Sequence, residues 1–388
     1  MIQIENIKIK NFNKTKPQKN LKSLFNKLIE EDNHIIKSLK NTYKDSWDLK
    51  KIQKYKKLSN ITLIGMGGSI MGSKSIYSFL KNKIKKNFFF LDNFDENKIR
   101  NIKKKNKLNL IISKSGNTLE TIVNSNVIIN KKVKNIFITE NNANYLRSIA
   151  KKLKSDVIDH NNFIGGRYSV LSEVGMLPAM LMGLKIDKFR KFNDLIKNKF
   201  FLNSIINSVS NTLSLIKKNK SNSIILNYDE KSLDLFYWYQ QLVAESLGKK
   251  SKGILPIVSK MPQDNHSLMQ FYLDGKKNNF YTFFFTKEIF SQKIKSEGLL
   301  SSRNYLKNKN LQHVLYDQFL ATQKVFKRKN IPFRSFIIEK RDESTLGTLF
   351  TYFILETILL GKALKINPYD QPAVELIKIE TKKILKSS

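Results

Sequence analysis

Short apolar runs of strand length alternate with longer, helically periodic stretches along most of the 388-residue chain. In the first half the runs fall at 61–65, 88–92, 108–113, 135–139 and 156–159. Helical stretches begin near Ser69, Asp95, Thr118 and Asn144, and a further helix is predicted from Ser172 to Met182. Apolar strands separated by helices indicate βαβ units and a parallel sheet covered on both faces. The second half repeats the pattern, with strands at 223–228, 253–258, 280–285 and 333–338. Its helices run towards Glu245, lie near His266, extend from about Leu311 to Phe326, follow from Thr345, and close the chain from Gln371. No period of about 20–50 residues marks a solenoid. The pattern therefore predicts an α/β protein with five segments. These are N-terminal helices over 1–55, a first domain over 56–185, a linking helical segment over 186–220, a second domain over 221–365, and a C-terminal helix over 366–388.

Composition narrows the chemistry. The chain has no cysteine, which removes disulfides, thiolate metal sites and thiol nucleophiles. Its four histidines, His34, His160, His266 and His313, show no metal-ligand spacing, so no zinc site is expected. The first residues lack the apolar core of a signal peptide. The longest apolar helix is interrupted by Glu356, short of the roughly 18 apolar residues of a membrane span. A cytoplasmic location without a membrane partner is the expectation.

A formal charge of +38 would suggest nucleic-acid binding, but 62 of the 70 basic residues are Lys and only 8 are Arg. Phosphate-backbone readers favour the planar fork of Arg. Here the Lys residues are spread among Asn, Ile and Phe over the whole chain, so the charge reads as background composition. No specific nucleic-acid partner is expected.

Two glycine- and hydroxyl-rich segments follow predicted strands. Gly65-Met66-Gly67-Gly68-Ser69 opens a helix, but Ile70 stands where the dinucleotide fingerprint needs glycine, and no P-loop Lys follows. Alone it is equally a structural turn. Ser113-Lys114-Ser115-Gly116-Asn117-Thr118 brings hydroxyls, a glycine and an ammonium to a helix N-terminus. That set suits a phosphate nest, and exceeds what helix capping needs.

Four further motifs carry candidate chemistry. Gly165-Gly166-Arg167-Tyr168-Ser169 places an Arg, rare in this chain, beside glycines that permit close approach. Glu245 ends an apolar helical run, where partial shielding would make a base, although a surface position is the simpler reading. His266 lies near a helix start, as an acid/base group or a structural one. Gln371 and Lys378 are seven residues apart, on one helix face, with Pro372 suited to the first turn.

In their order, GMGGS, SKSGNTLET, IGGRYS, ESLGK, QDNHS and YDQPAVELIK resemble the phosphoglucose isomerase family over roughly residues 60–380, GGRYS and YDQxxVExxK being the most specific. The resemblance implies two sugar-isomerase (SIS) domains, flavodoxin-like three-layer αβα units with mainly parallel sheets, plus terminal helices. It implies aldose–ketose isomerisation of glucose 6-phosphate and fructose 6-phosphate through an enediol, with no cofactor and no metal. Ser113, Lys114, Ser115 and Thr118 would hold the phosphate, and Gly68 and Ser69 would contact the sugar. Glu245 would move the proton between C2 and C1, and Arg167, beside Gly166, would stabilise the enediolate. His266 and Lys378 would open the ring, with Gln371 assisting. The family's homodimer would supply His266 across the interface. Ser115 replaces a common Thr, Ala373 replaces a common Gly, and the chain is short for the family. An enzyme acting on mannose 6-phosphate or on both epimers, a non-catalytic sugar-phosphate sensor and, favoured by the charge alone, a nucleic-acid-binding protein are the competing readings.

Overall fold

The computed structural model of the chain describes residues 2–12, 19–130 and 132–387. It opens with an antiparallel hairpin, β1 (Ile2–Ile4) and β2 (Ile7–Lys10), where helices were expected. Ile7 and Ile9 are buried and alternate with Lys8 and Lys10, a period of two that the many flanking charges obscure. Three helices follow, α1 (Lys19–Glu30), α2 (His34–Leu39) and α3 (Leu49–Gln53).

The first sheet contains β3 (Asn60–Ile64), β4 (Asn87–Leu91), β5 (Leu108–Ile112), β6 (Lys134–Glu140) and β7 (Asp156–His160). All pair in parallel, in the order β4-β3-β5-β6-β7. Its helices are α4 (Met71–Phe79), α5 (Glu96–Lys105), α6 (Leu119–Ile128), α7 (Tyr145–Lys152) and α8 (Glu173–Leu181). The starts of α5 and α7 fall where the sequence placed them. Asp95 accepts from the Lys98 amide at 2.9 Å and Asn144 from the Arg147 amide at 3.0 Å, satisfying first-turn donors.

After α9 (Phe192–Leu195) and α10 (Lys199–Lys217) comes the second sheet: β8 (Asn222–Asn227), β9 (Leu255–Lys260), β10 (Asn279–Thr286) and β11 (Phe333–Ile338). Its order is β1-β2-β11-β10-β8-β9, with β8 to β11 parallel and β2 antiparallel to β11, so the N-terminal hairpin completes the second domain rather than standing apart from it. β9 begins two residues later than the expected 253, because Gly253 at φ +101° is still turning the chain. The helices of this half are α11 (Leu233–Leu247), α12 (Met269–Asp274), α13 (Leu311–Arg328), α14 (Glu343–Ala363) and α15 (Glu375–Ser387).

Burial shows how the halves join. The outer face of the first sheet packs Ile64, Ile111 and Phe137 against α5, α6 and α7. The outer face of the second packs Leu226, Phe283 and Ile337 against α12 and α13. The two inner faces share one continuous core running through α4, α8, α10, α11 and α14. α14 is long and apolar enough to cross a membrane, yet 94% of its most apolar window is buried inside the protein. Glu356, which interrupts that apolar helix, forms a buried ion pair with Arg334 of β11.

Candidate active site

In the first sheet β3 leads to β4 on one side and β5 to β6 on the other. The loops leaving β3 and β5 therefore part at a switch point, where doubly wound sheets hold ligands. The Gly65–Ser69 turn and the Ser113–Thr118 loop both lie there.

In the second loop the Ser113 and Thr118 hydroxyls are 2.9 Å apart, and Lys114 Nζ is 3.5 Å from Glu140 Oε1. Gly116 has φ +66°, and a Cβ there would stand 2.0 Å from the Asn144 side-chain oxygen. Thr118 occupies the N-cap position of α6, but its side chain makes no capping bond. The hydroxyl that sequence reasoning weighed as a cap thus turns towards Ser113, leaving the helix N-terminus open to an anion. Ser115 is exposed, its Oγ accepting from the Asn117 amide at 3.3 Å.

The first loop explains its glycines by contact. A Cβ on Gly68 would stand 2.1 Å from the Gly166 carbonyl carbon, so the two backbones touch. That approach seats Arg167, the next residue, 2% exposed in the centre of the molecule. Its guanidinium meets Glu245, on the last turn of α11, with Nη1 donating to Oε2 at 3.3 Å. Nη1 also donates to Gln371 Oε1 at 2.6 Å. Glu245 is partly buried rather than solvated, and a cavity of about 330 Å³ opens beside it, lined also by Met71, Tyr237 and Gln241.

Arg167, Glu245, Gln371, Gly68, Ser69 and Gly166 are therefore gathered from elements far apart in the chain. His266 and Lys378 are not. His266 is exposed in the turn after β9, and the described residues show no hydrogen bond or ion pair from it to this group. Lys378 is exposed on α15 and pairs with Glu375 at 2.6 Å. Sequence reasoning missed Gln241, whose Nε2 donates to Glu245 Oε1 at 2.8 Å. The signal was present, since Gln241 lies four residues before Glu245, one turn along the same face. It also assigned nothing to Tyr168 and Ser246, which both contact Arg167. No cluster of three or more His, Asp or Glu side chains placed to hold a metal occurs among the described residues.

Two mainly parallel sheets sharing a helical core, with a hydroxyl-lined loop at one switch point and a facing Arg–Glu pair, define a doubly wound α/β protein. The model of the phosphoglucose isomerase family matches residues 21–258, well over half of the chain. A glucose-6-phosphate isomerase of Methanocaldococcus jannaschii is 34% identical over 86% of this chain and 86% of its own length. One from Campylobacter jejuni is 31% identical over 91% of each. The chain belongs to the phosphoglucose isomerase family. Among solved structures, a hypothetical protein from Thermus thermophilus superposes with a TM-score of 0.83 at 23% identity, covering 94% of each chain. A glucose-6-phosphate isomerase of Chlamydia trachomatis gives 0.67 at 18% identity, covering 94% of this chain but 78% of its own. The shortness noted in the sequence is thus a departure from the longer Chlamydia protein and not from the M. jannaschii and C. jejuni relatives. The family match spans Arg167 and Glu245 but ends before His266, Gln371 and Lys378.

Proposed function

We propose that the chain interconverts glucose 6-phosphate and fructose 6-phosphate, a step of glycolysis and gluconeogenesis, through a cis-enediolate. The observation that carries this reading is the facing of the buried Arg167 guanidinium and the Glu245 carboxylate, 3.3 Å apart beside an open cavity. Glu245 takes the proton from C2 of the open-chain aldose and returns it to C1. The negative charge that develops on the enediolate oxygens lies against the fixed positive charge of Arg167, in a site where water screens little. Gln241 and Arg167 together hold the carboxylate of the base in one orientation.

Ser113, Lys114, Ser115 and Thr118, with the uncapped start of α6, bind the phosphate, and Gly68, Ser69 and the Gly166 backbone approach the sugar. His266 and Lys378 open the pyranose ring, and Gln371 contacts the substrate. The exposure of His266 in a single chain agrees with its service to the site of a second copy in a homodimer. The reaction calls on no metal and no cofactor, and the enzyme works in the cytoplasm, without a nucleic-acid or membrane partner.

A coupled assay of the purified protein with fructose 6-phosphate, reading glucose 6-phosphate formation, tests the reading. Rapid turnover that survives EDTA is expected. Sugar-phosphate binding without turnover would replace the isomerase by a sensor of the same fold.

A further inference from the structure

Arg167 has five N–H groups, and each has a partner. Nε donates to Ser246 Oγ at 2.7 Å, Nη1 to Glu245 and Gln371, and Nη2 to the Pro368 carbonyl at 2.7 Å and the Asp370 carbonyl at 3.0 Å. Behind this set lie two fully buried hydroxyls that the isomerisation itself does not use. Tyr168 Oη is 2.7 Å from Ser246 Oγ and 2.9 Å from the Pro368 carbonyl oxygen.

Donor and acceptor identities set the direction of every proton in this group. A guanidinium only donates and a carbonyl only accepts. Pro368 must therefore take the Tyr168 proton, which obliges Ser246 to give its own proton to Tyr168 Oη. Ser246 Oγ then has lone pairs free for Arg167 Nε–H. The chain runs Arg167 Nε–H to Ser246, Ser246 to Tyr168 and Tyr168 to Pro368, and Arg167 Nη2 closes the ring on the same carbonyl. Burial pushes the Tyr168 phenol up, so the proton that the ring requires stays in place at working pH. The bonds in such a ring polarise one another, and a guanidinium bound on both Nε and Nη2 cannot turn in its plane.

We propose that Tyr168 and Ser246 are positioning residues, whose ordered pair of hydroxyls locks the Nε and Nη2 edge of Arg167 so that Nη1 alone is presented towards Glu245 and the substrate. The proposal rests on the isomerase reading above. It links three segments of sequence: the Gly-Arg-Tyr turn, the end of α11 and the bend at 368–371 before α15.

The test is a kinetic cycle with fructose 6-phosphate on Tyr168→Phe, Ser246→Ala and the double variant, in wild-type and Arg167→Lys backgrounds. Misplacing a charge by a fraction of an ångström lowers kcat by roughly 10-fold for Tyr168→Phe and up to about 10²-fold for Ser246→Ala, with KM within about twofold. Because the hydroxyls act as one unit, the double variant falls no further than Ser246→Ala. In the Arg167→Lys background, which lacks Nε–H, Ser246→Ala changes kcat by less than about twofold. Unchanged kcat in the single variants, penalties that multiply, or penalties that persist with Lys at 167 would overturn the proposal. If Ser246→Ala fails to fold, Tyr168→Phe, which loses one oxygen, decides the matter by itself. If the wild type does not turn over fructose 6-phosphate, the isomerase reading fails separately. Proton exchange of the Arg167 Nε–H, read by NMR on ¹⁵N-arginine protein, then judges the ring. Slow exchange in the wild type that quickens in both single variants supports it, and fast exchange in the wild type refutes it.

Discussion

Both sheets have a switch point at their C-terminal edge, and the two are built from similar groups put to different ends. Between β3 and β5 lie the hydroxyls of Ser113 and Thr118 and the ammonium of Lys114, around an uncapped helix start. Between β8 and β10 lie the hydroxyls of Ser232 and Thr286 and the guanidinium of Arg341, but here the chain supplies its own anion. Asp229 accepts from Ser232, from Thr286 at 3.0 Å and from Arg341. Arg341 also reaches Glu288, after β10, at 2.8 Å, and its guanidinium lies 4.8 Å from the Phe79 ring at the end of α4 in the first domain. One edge is left open for the phosphate proposed above, and the other is closed by a buried carboxylate whose partner Arg341 also reaches the first domain. An anion site becomes a clasp when the anion is part of the chain, because the ligand then no longer leaves.

If that contrast holds, changes near the first edge alter catalysis and binding, and changes at the second alter stability. The largest effect is expected from Glu245→Gln, beside the first edge. Losing the general base lowers kcat by about 10²- to 10⁴-fold while KM and melting temperature barely move. Wild-type turnover in the coupled assay would place the base elsewhere. Arg341→Met should act in the opposite sense. It strands the buried Asp229 without its cation, leaves Glu288 only Lys231, and costs about 3–5 kcal/mol in denaturant unfolding, with KM unchanged. A loss of substrate affinity at full stability would show that the second edge binds ligand after all.

Next in size is a pH effect confined to the first domain. Burial, aided by the charge of Lys114, brings the His160 imidazole at the end of β7 down to about 4, while the other three histidines are not buried. In the unfolded chain that group protonates near the ordinary 6.5. Its contribution is therefore complete above about pH 6.5 and lost as pH falls towards 4, a change on the order of 3 kcal/mol. His160→Asn should flatten the stability profile across that window, and an unaltered slope would mean that other groups set it. The smallest effect is expected for Ser113→Ala. Removing one hydroxyl from a charged phosphate weakens binding by about 1.5–3 kcal/mol, seen as a KM raised roughly 10-fold or more at nearly constant kcat and stability.

The resemblance read from the sequence rests on short motifs, and the structure divides them unevenly. GGRYS and the Glu245 motif meet in space, whereas the His266 and Lys378 motifs stay on the surface of the single chain. The tail of the molecule reaches the site through the Pro368 and Asp370 carbonyls and Gln371, not through its final helix.

Much of the architecture was written locally. Strands buried on both faces are continuous apolar runs, and α5 and α7 start at capping side chains, so β3 to β8, β10 and β11 lay within a residue or two of where the sequence placed them, as did the starts of α5 and α7 and the uncapped starts of α6 and α8. The loops after β3 and β5, and their chemistry, were legible for the same reason. The N-terminal hairpin was not, since two short alternating runs become strands only when β11 offers an edge. Nor were the shared core, the Asp229–Arg341 clasp, or the ring of hydroxyls behind Arg167. Spacing along a chain reports neighbours one turn or one pleat away. Partners separated by 78 to 204 residues, as Glu245 and Gln371 are from Arg167, are chosen only when packing brings their elements together.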